Sequence, residues 1–480
     1  MKDDIYFFKF DKTPGKDNKN ILKENKTNYK SIISKSPLVT IVTSFYNSEE
    51  YMDETVNSVL NQTFPFWEWI IVDDGSTNES SIEYLKNLKD IDKRIRILKK
   101  ENGGLAKGRD FAIRYANSDL IIPLDADDLI ERTYIETLYW SLETNKEASF
   151  AFSDSVGFGK YRYLSDCKFD SERMKTENHI TATALIKKEK IIELGGYQKA
   201  KRYVNEDWHL WLRMLQKGYR PCHVSYYGFW YRRRENSLLT DINNEENSNN
   251  KLRLRDLKIE ADKINKKVYE IGFGSEEDLN EEKEDSNEKI HDNVDKNLNN
   301  NICEIENLEE CYQDLIYKKN TTLYILKNTG QDSEVFKEIK NKKRETNNRI
   351  IIVTLNLSEE SQYVYRQKYE EFVDSVYNLK TFIKKDYYLK FITYLIETRN
   401  VKEIYIDEDL KEIKNNLIMN YIDNSNKENL KNKEIEFNDI FYEENPNIYN
   451  FKIKKYKFDR TFIMRGIRKI FRIIFRKDII

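Results

Sequence analysis

A chain of 480 residues with 81 Lys and Arg against 83 Asp and Glu is long enough for two or three domains, each with its own core. It carries no overall field that would draw nucleic acid or an acidic partner. Four cysteines, Cys167, Cys222, Cys303 and Cys311, lack CxxC spacing, which argues against a disulfide framework or a zinc site and suits reduced thiols in the cytoplasm.

Residues 1–36 are rich in Lys, Asn and Asp with little periodicity and read as a polar extension. They contain no secretory signal, and nowhere does an apolar run approach the roughly 20 residues of a spanning helix. From Leu38 the pattern sharpens. Leu38 to Thr43 reads as a core strand, and Asn47 with Glu50 reads as a helix start before Met52, Val56, Val59 and Leu60. Trp67 to Val72 is a second strand ending in Asp73-Asp74-Gly75-Ser76. A helix through Ile82, Leu85 and Leu88 follows, then a strand from Ile95 to Leu98. Asn102-Gly103-Gly104 turns the chain into a helix carrying Arg109 and Tyr115, which leads to Leu120-Ile-Ile-Pro-Leu-Asp125-Ala-Asp127-Asp128. Alternation at these spacings predicts βαβ units and a mostly parallel sheet with right-handed crossovers.

Two of the strands end in clustered acids, Asp73-Asp74 and Asp125 to Asp128. In a parallel sheet both clusters surface on one edge, where α/β proteins bind ligands. Carboxylates so close repel one another unless a cation or hydroxyls answer them, and hard oxygen ligands suit magnesium or manganese. Each cluster alone is also ordinary turn or cap chemistry. Beyond them, Ala148 to Phe152 and Ala182 to Ile186 read as strands. Gly195-Gly196-Tyr197 precedes Glu206-Asp207-Trp208, which opens a helix through Leu210, Met214 and Leu215 that Gly218 stops. Two acids in a first turn also simply complement a helix dipole.

The segments Val42-Thr43-Ser-Phe-Tyr-Asn47, Ser58 to Thr63, Val72 to Ser76, Asn102-Gly-Gly, Arg109 and Asp125-Ala-Asp127-Asp128 together resemble glycosyltransferase family 2 across residues 37–235. The resemblance implies a GT-A fold, an α/β domain with a Rossmann-like, mostly parallel sheet, and metal-dependent inverting transfer from a nucleotide-sugar donor, UDP-linked by expectation. It implies that Thr43 and Asp74 hold the nucleotide base, Asp125 the ribose side and Asp127 the Mn2+ or Mg2+ ion, with Asp125 beside it. Asp207 is then the general base and Glu206 its neighbour or an acceptor contact. Arg109 joins the donor set, but the family's Asn at the next position is Asp110 here. Tyr231-Arg-Arg-Arg234 matches a basic segment that covers the diphosphate. A sugar nucleotidyltransferase would need a glycine-rich loop where Ser44 to Asn47 stands, and a binding module without turnover would not need Asp125, Asp127 and Asp207 together.

The catalytic domain is therefore expected over residues 37–240 and a helical, acidic linker over 241–345. Within that linker, residues 275–311 hold 14 acids against three Lys. An accessory α/β domain is expected over 346–450, with strands at Arg349–Leu355 and Val401–Ile406 and a helix at Tyr388–Thr398. Residues 451–480 carry 11 Lys or Arg, and Ile463, Ile467, Ile470 and Ile474 make one stripe among them. That pattern suits a basic amphipathic helix on an anionic membrane surface. The expected partners are a nucleotide-sugar donor, a glycan, lipid-linked or protein acceptor, and that surface, with no nucleic acid. The expected place is the cytoplasm, peripherally at the inner face of the cell membrane.

Overall fold

The computed structural model describes residues 8–16, 29–197, 205–235, 248–273, 317–327, 333–355, 367, 369–370, 372–423, 436–443 and 450–457. They fall into two units: the first comprises the described residues up to 315 together with 367 and 379–387, the second the others from 317 onward.

In the first unit, β1 (Val39–Phe45), β2 (Trp67–Asp73) and β3 (Ile95–Lys99) are joined by α1 (Met52–Leu60) and α2 (Glu79–Leu88). From β3 the helix α3 (Leu105–Arg114) returns the chain to β4 (Leu120–Pro123), which pairs on the other side of β1. All these pairings are parallel. The order β3-β2-β1-β4 reverses direction between β1 and β4, so the crevice of an open α/β sheet lies over the carboxyl ends of those two strands. Beyond β4 the sheet becomes mixed and continues through β8 (Leu185–Lys187), β6 (Ala148–Gly159), β9 (Arg220–Arg233) and β5 (Leu129–Ile130), with β7 (Tyr163–Ser165) on β6. β8 is antiparallel to β4 and β6, whereas β9 runs parallel to β6.

The apolar strands read from the sequence are all present, because Ile41, Ile70, Ile71 and Ile122 are fully buried on both faces. The expected helix start at Asn47 is corrected. Asn47 has φ 47°, and its side-chain oxygen accepts from the backbone N of Thr77 (3.0 Å) and Asn78 (3.1 Å), tying the turn after β1 to the turn after β2. A short 3-10 turn, Glu49–Tyr51, opens α1 instead. The polar extension is partly core: Phe8 and Phe10 are buried with Phe158 and Trp230. Part of the expected linker is core as well. Helix Ser248–Ala261 and the residues after it place Leu257, Ala261, Ile264 and Val268 in one cluster with Trp211 and Leu215 of α5 (Glu206–Gln216).

The second unit is a six-stranded sheet in the order β12 (Ser375–Asn378), β11 (Arg349–Thr354), β10 (Thr321–Leu326), β13 (Val401–Asp407), β14 (Glu436–Glu443), β15 (Asn450–Lys457). Only β15 is antiparallel. Its central strand β10 and the helix Ser333–Glu345 lie before residue 346, so the boundary expected there belongs earlier. Residues 450–457 form an edge strand rather than the start of a helix; the stripe from Ile463 to Ile474 and the acidic stretch 275–311 lie outside the described residues. Among the described residues no helix is long and apolar enough to cross a membrane.

At the end of the sheet opposite the crevice, Glu68 on β2 gathers four donors. It accepts from the Thr40 hydroxyl (2.8 Å), the Asn117 backbone N (2.6 Å) and Nδ2 (2.8 Å), and Arg96 Nη1 (2.7 Å). This one carboxylate, 5 % exposed, fixes the approach of β4 to β1. Removing it takes an acceptor from the buried Thr40 hydroxyl and from three partly exposed donors, so Glu68→Ala is expected to cost about 1–3 kcal/mol and lower the melting temperature by roughly 3–10 °C. A shift under about 2 °C in thermal unfolding would contradict this role.

Candidate functional site

The crevice is built around Arg109, one turn into α3. Gly108 lets that helix approach β1, since a Cβ there would meet Ser44 Oγ at 2.1 Å. Arg109 is 1 % exposed. Its Nη2 donates to Asp125 Oδ1 at 2.7 Å, and its Nη1 to Glu206 Oε1 at 2.5 Å. The ring of Tyr197 lies 5.5 Å from the guanidinium. A single cation thus joins the end of β4 to the first turn of α5. Burial works against its charge, but the two carboxylates more than offset that and hold the guanidinium protonated.

Asp110, beside it, has a different task. Its carboxylate accepts from the Tyr197 backbone N at 2.8 Å. Gly196 has φ +78°, and a Cβ there would sit 2.5 Å from the same carboxylate. Arg213 on α5 completes the clamp, donating to the carbonyls of Leu194 (2.8 Å) and Gly196 (2.7 Å). The Gly-Gly-Tyr turn is thereby fixed between α3 and α5.

At the first turn of α5, Asp207 takes a hydrogen bond from Asn178 Nδ2 at 2.9 Å. Burial raises its pKa, opposed by Arg109 and by the Asn178 bond. Burial likewise pushes Glu206 up to about 7 in spite of Arg109. A carboxylate that holds its proton more tightly than usual, near the working pH, is suited to accept one from a hydroxyl.

At the end of β4, the three acids each have a different cationic or backbone partner. Asp125, its side chain 30 % exposed, pairs with Arg109. Asp127 pairs with Arg234 Nη2 at 2.7 Å. Asp128 is buried and accepts from the Arg232 backbone N at 2.8 Å. Burial raises the pKa of Asp127, the Asp125 charge adding and Arg234 opposing. Asp128 is raised well above the usual range by burial and then by its two neighbours. Among the described residues no three metal-binding side chains gather, so any cation here would rest on Asp125 and Asp127 and take its other ligands from a bound molecule and water.

Asp74 and Thr43, expected to meet a nucleotide base, each have partners within the fold. Asp74 accepts from the backbone N of Gly103 (3.1 Å) and Gly104 (2.7 Å) and from Lys100 Nζ, so it anchors the turn that starts α3. Thr43 is fully buried, and its hydroxyl donates to the Leu124 carbonyl (2.6 Å) and accepts from Trp69 Nε1 (2.9 Å). Thr43 therefore supports the floor of the crevice from below. Asn178, beside Asp207, is a residue that sequence reasoning did not single out. It lies in an irregular stretch with no periodic signal, whereas Gly195-Gly196-Tyr197 stood out in the sequence as a turn ahead of Glu206-Asp207-Trp208.

Residues 40–208 match the Glycosyl transferase family 2 pattern. The chain is 32 % identical over 193 residues to the putative teichuronic acid biosynthesis glycosyltransferase TuaG of Bacillus subtilis, covering 38 % of this chain and 74 % of that protein. It is 30 % identical over 137 residues to glycosyltransferase GlyA of Streptococcus pneumoniae, covering 28 % of this chain and only 20 % of GlyA. The crystal structure of S. aureus TarS 1-349 in complex with UDP-GlcNAc aligns at 17 % identity over 46 % of this chain and 71 % of that one, with a TM-score of 0.36.

Deleting the guanidinium would leave buried acids without their cation. Arg109→Ala is expected to lose about 3–5 kcal/mol of stability at pH 8. In the variant, Glu206 binds a proton in the fold and releases it on unfolding, so stability rises as pH falls. Denaturant melts from pH 8 to pH 5 should show the deficit shrinking; a deficit independent of pH would contradict the pairing.

Proposed function

The chain belongs to glycosyltransferase family 2, and from that premise we propose that it moves a sugar from a nucleoside diphosphate donor to an acceptor hydroxyl with inversion at the anomeric carbon. The observation that carries this reading is the Arg109 bridge, which brings Asp125 and the Glu206–Asp207 turn to one crevice. A direct displacement needs these two sides, one to receive the charge of the leaving diphosphate and one to take a proton from the attacking oxygen.

Asp207 accepts the acceptor hydroxyl's proton as that oxygen bonds to the anomeric carbon. The bond from that carbon to the phosphate oxygen breaks on the opposite face, and its electron pair leaves with the diphosphate. Asn178 orients the Asp207 carboxylate through the 2.9 Å bond. Glu206, held by Arg109, keeps the first turn of α5 in place. Asp125 and Asp127, partly exposed hard-oxygen donors, fit a magnesium or manganese ion. When bound, such an ion supplies charge stabilisation to the departing diphosphate. The likeness to a teichuronic acid biosynthesis glycosyltransferase makes a glycan the first acceptor class to test.

A panel of UDP-, GDP- and dTDP-linked sugars, with and without Mn2+, tests the reading by thermal shift. A donor at 100 times its Kd should stabilise the protein by about 2.7 kcal/mol, and one sugar nucleotide should do so only with metal. Asp127→Ala is expected to abolish the shift. If no donor stabilises the protein, the proposed activity fails.

A further inference from the structure

β9 ends in a fixed residue followed by a loosely held one. Arg232 is fixed: its Nε donates to the Asp127 carbonyl at 2.8 Å and its Nη2 to Glu54 at 2.8 Å. Its guanidinium lies 4.4 Å from the Tyr51 ring centroid and 4.5 Å from that of Phe158. Strand pairing stops at Arg233, opposite Gly159. Arg234, just beyond, has a side chain 39 % exposed, and its ion pair is with Asp127 Oδ2 at 2.7 Å.

We propose that Arg234 is a latch on Asp127: it occupies the carboxylate in the unloaded protein and yields it to a divalent cation only when a diphosphate arrives to receive the guanidinium. This rests on the donor reading above and adds an order to it. Arg109 is buried and committed to two acids, so it cannot exchange partners cheaply, whereas Arg234, partly exposed and paired with one acid, exchanges more readily. A cation entering alone would displace Arg234 and leave two positive charges side by side. A diphosphate entering alone would meet the acids Asp125 and Asp127. Arriving together, the two satisfy every charge, and a guanidinium matches phosphate oxygens in a two-point fork. Arg232 keeps the arm's root in place, so the exchange needs only the Arg234 side chain to turn. Binding of metal and of diphosphate is then coupled, each strengthening the other by the same factor.

Electron paramagnetic resonance of Mn2+ reads this without turnover. Wild type, Arg234→Gln and the double variant Arg234→Gln/Asp127→Asn are titrated alone and then with UDP, GDP and dTDP in turn, with circular dichroism confirming the fold. Wild type alone should bind Mn2+ weakly and Arg234→Gln about tenfold more tightly. The double variant should lose that gain, and a nucleotide should strengthen Mn2+ binding more in wild type than in Arg234→Gln. Equal affinities and equal nucleotide enhancement in wild type and Arg234→Gln would overturn the latch while leaving the donor reading standing. If no protein binds Mn2+ with any nucleotide, the metal-dependent donor reading falls and the latch with it.

Discussion

The site depends on one desolvated guanidinium. Arg109 sits on a helix that packs against β1, yet its two Nη groups reach acids 81 residues apart in the chain, Asp125 and Glu206. A buried ion pair of this kind adds little net stability over an apolar contact of the same shape, but breaking it is costly. Its value lies in geometry. The parallel half of the sheet positions Asp125 and Asp127, the mixed half positions α5, and Arg109 sets the distance between them. Asp110, Gly196 and Arg213 reinforce the same junction from behind, which accounts for an acid after Arg109: a carboxylate can accept the Tyr197 backbone N–H.

The acid cluster shows how the fold manages clustered charge at the edge of the sheet. Asp125, Asp127 and Asp128 fall within four residues, and each is met by a partner of graded permanence: the buried Arg109, the partly exposed Arg234 and the backbone N of the anchored Arg232. Only the partly exposed member is easily exchanged. The chemistry proposed for the crevice asks for that gradation, since the group that stays must orient and the group that moves must make room.

Much of this was legible in the sequence, for physical reasons. Ile70 and Ile122 lie in near-continuous apolar runs, which strands buried on both faces require, and the acids that close those runs had to surface on one edge. The roles of single residues were less legible. Thr43 resembles a ligand contact in sequence, but only the register of β1 against β4 shows that its hydroxyl is spent on Leu124 and Trp69. Phe8 and Phe10 sit in a polar stretch, and their burial against Trp230 depends on a long-range contact that local composition does not encode. The same holds for Leu257 and Val268, which fall in the stretch read as linker, and for β10, a six-residue strand that follows a long acidic segment in the sequence. Asn178 carried no pattern at all; its part follows solely from where α5 places Asp207.

The central claim is that the two sides held by Arg109 form one reaction centre, with Asp207 as the base. Water can take the acceptor's place in slow hydrolysis of the donor, so nucleoside diphosphate release can be followed before any acceptor is known. For Asp207→Asn, the account predicts a fall in kcat of about 10²–10⁴-fold with donor affinity, measured by calorimetry, within about twofold of wild type. An unchanged kcat would contradict it.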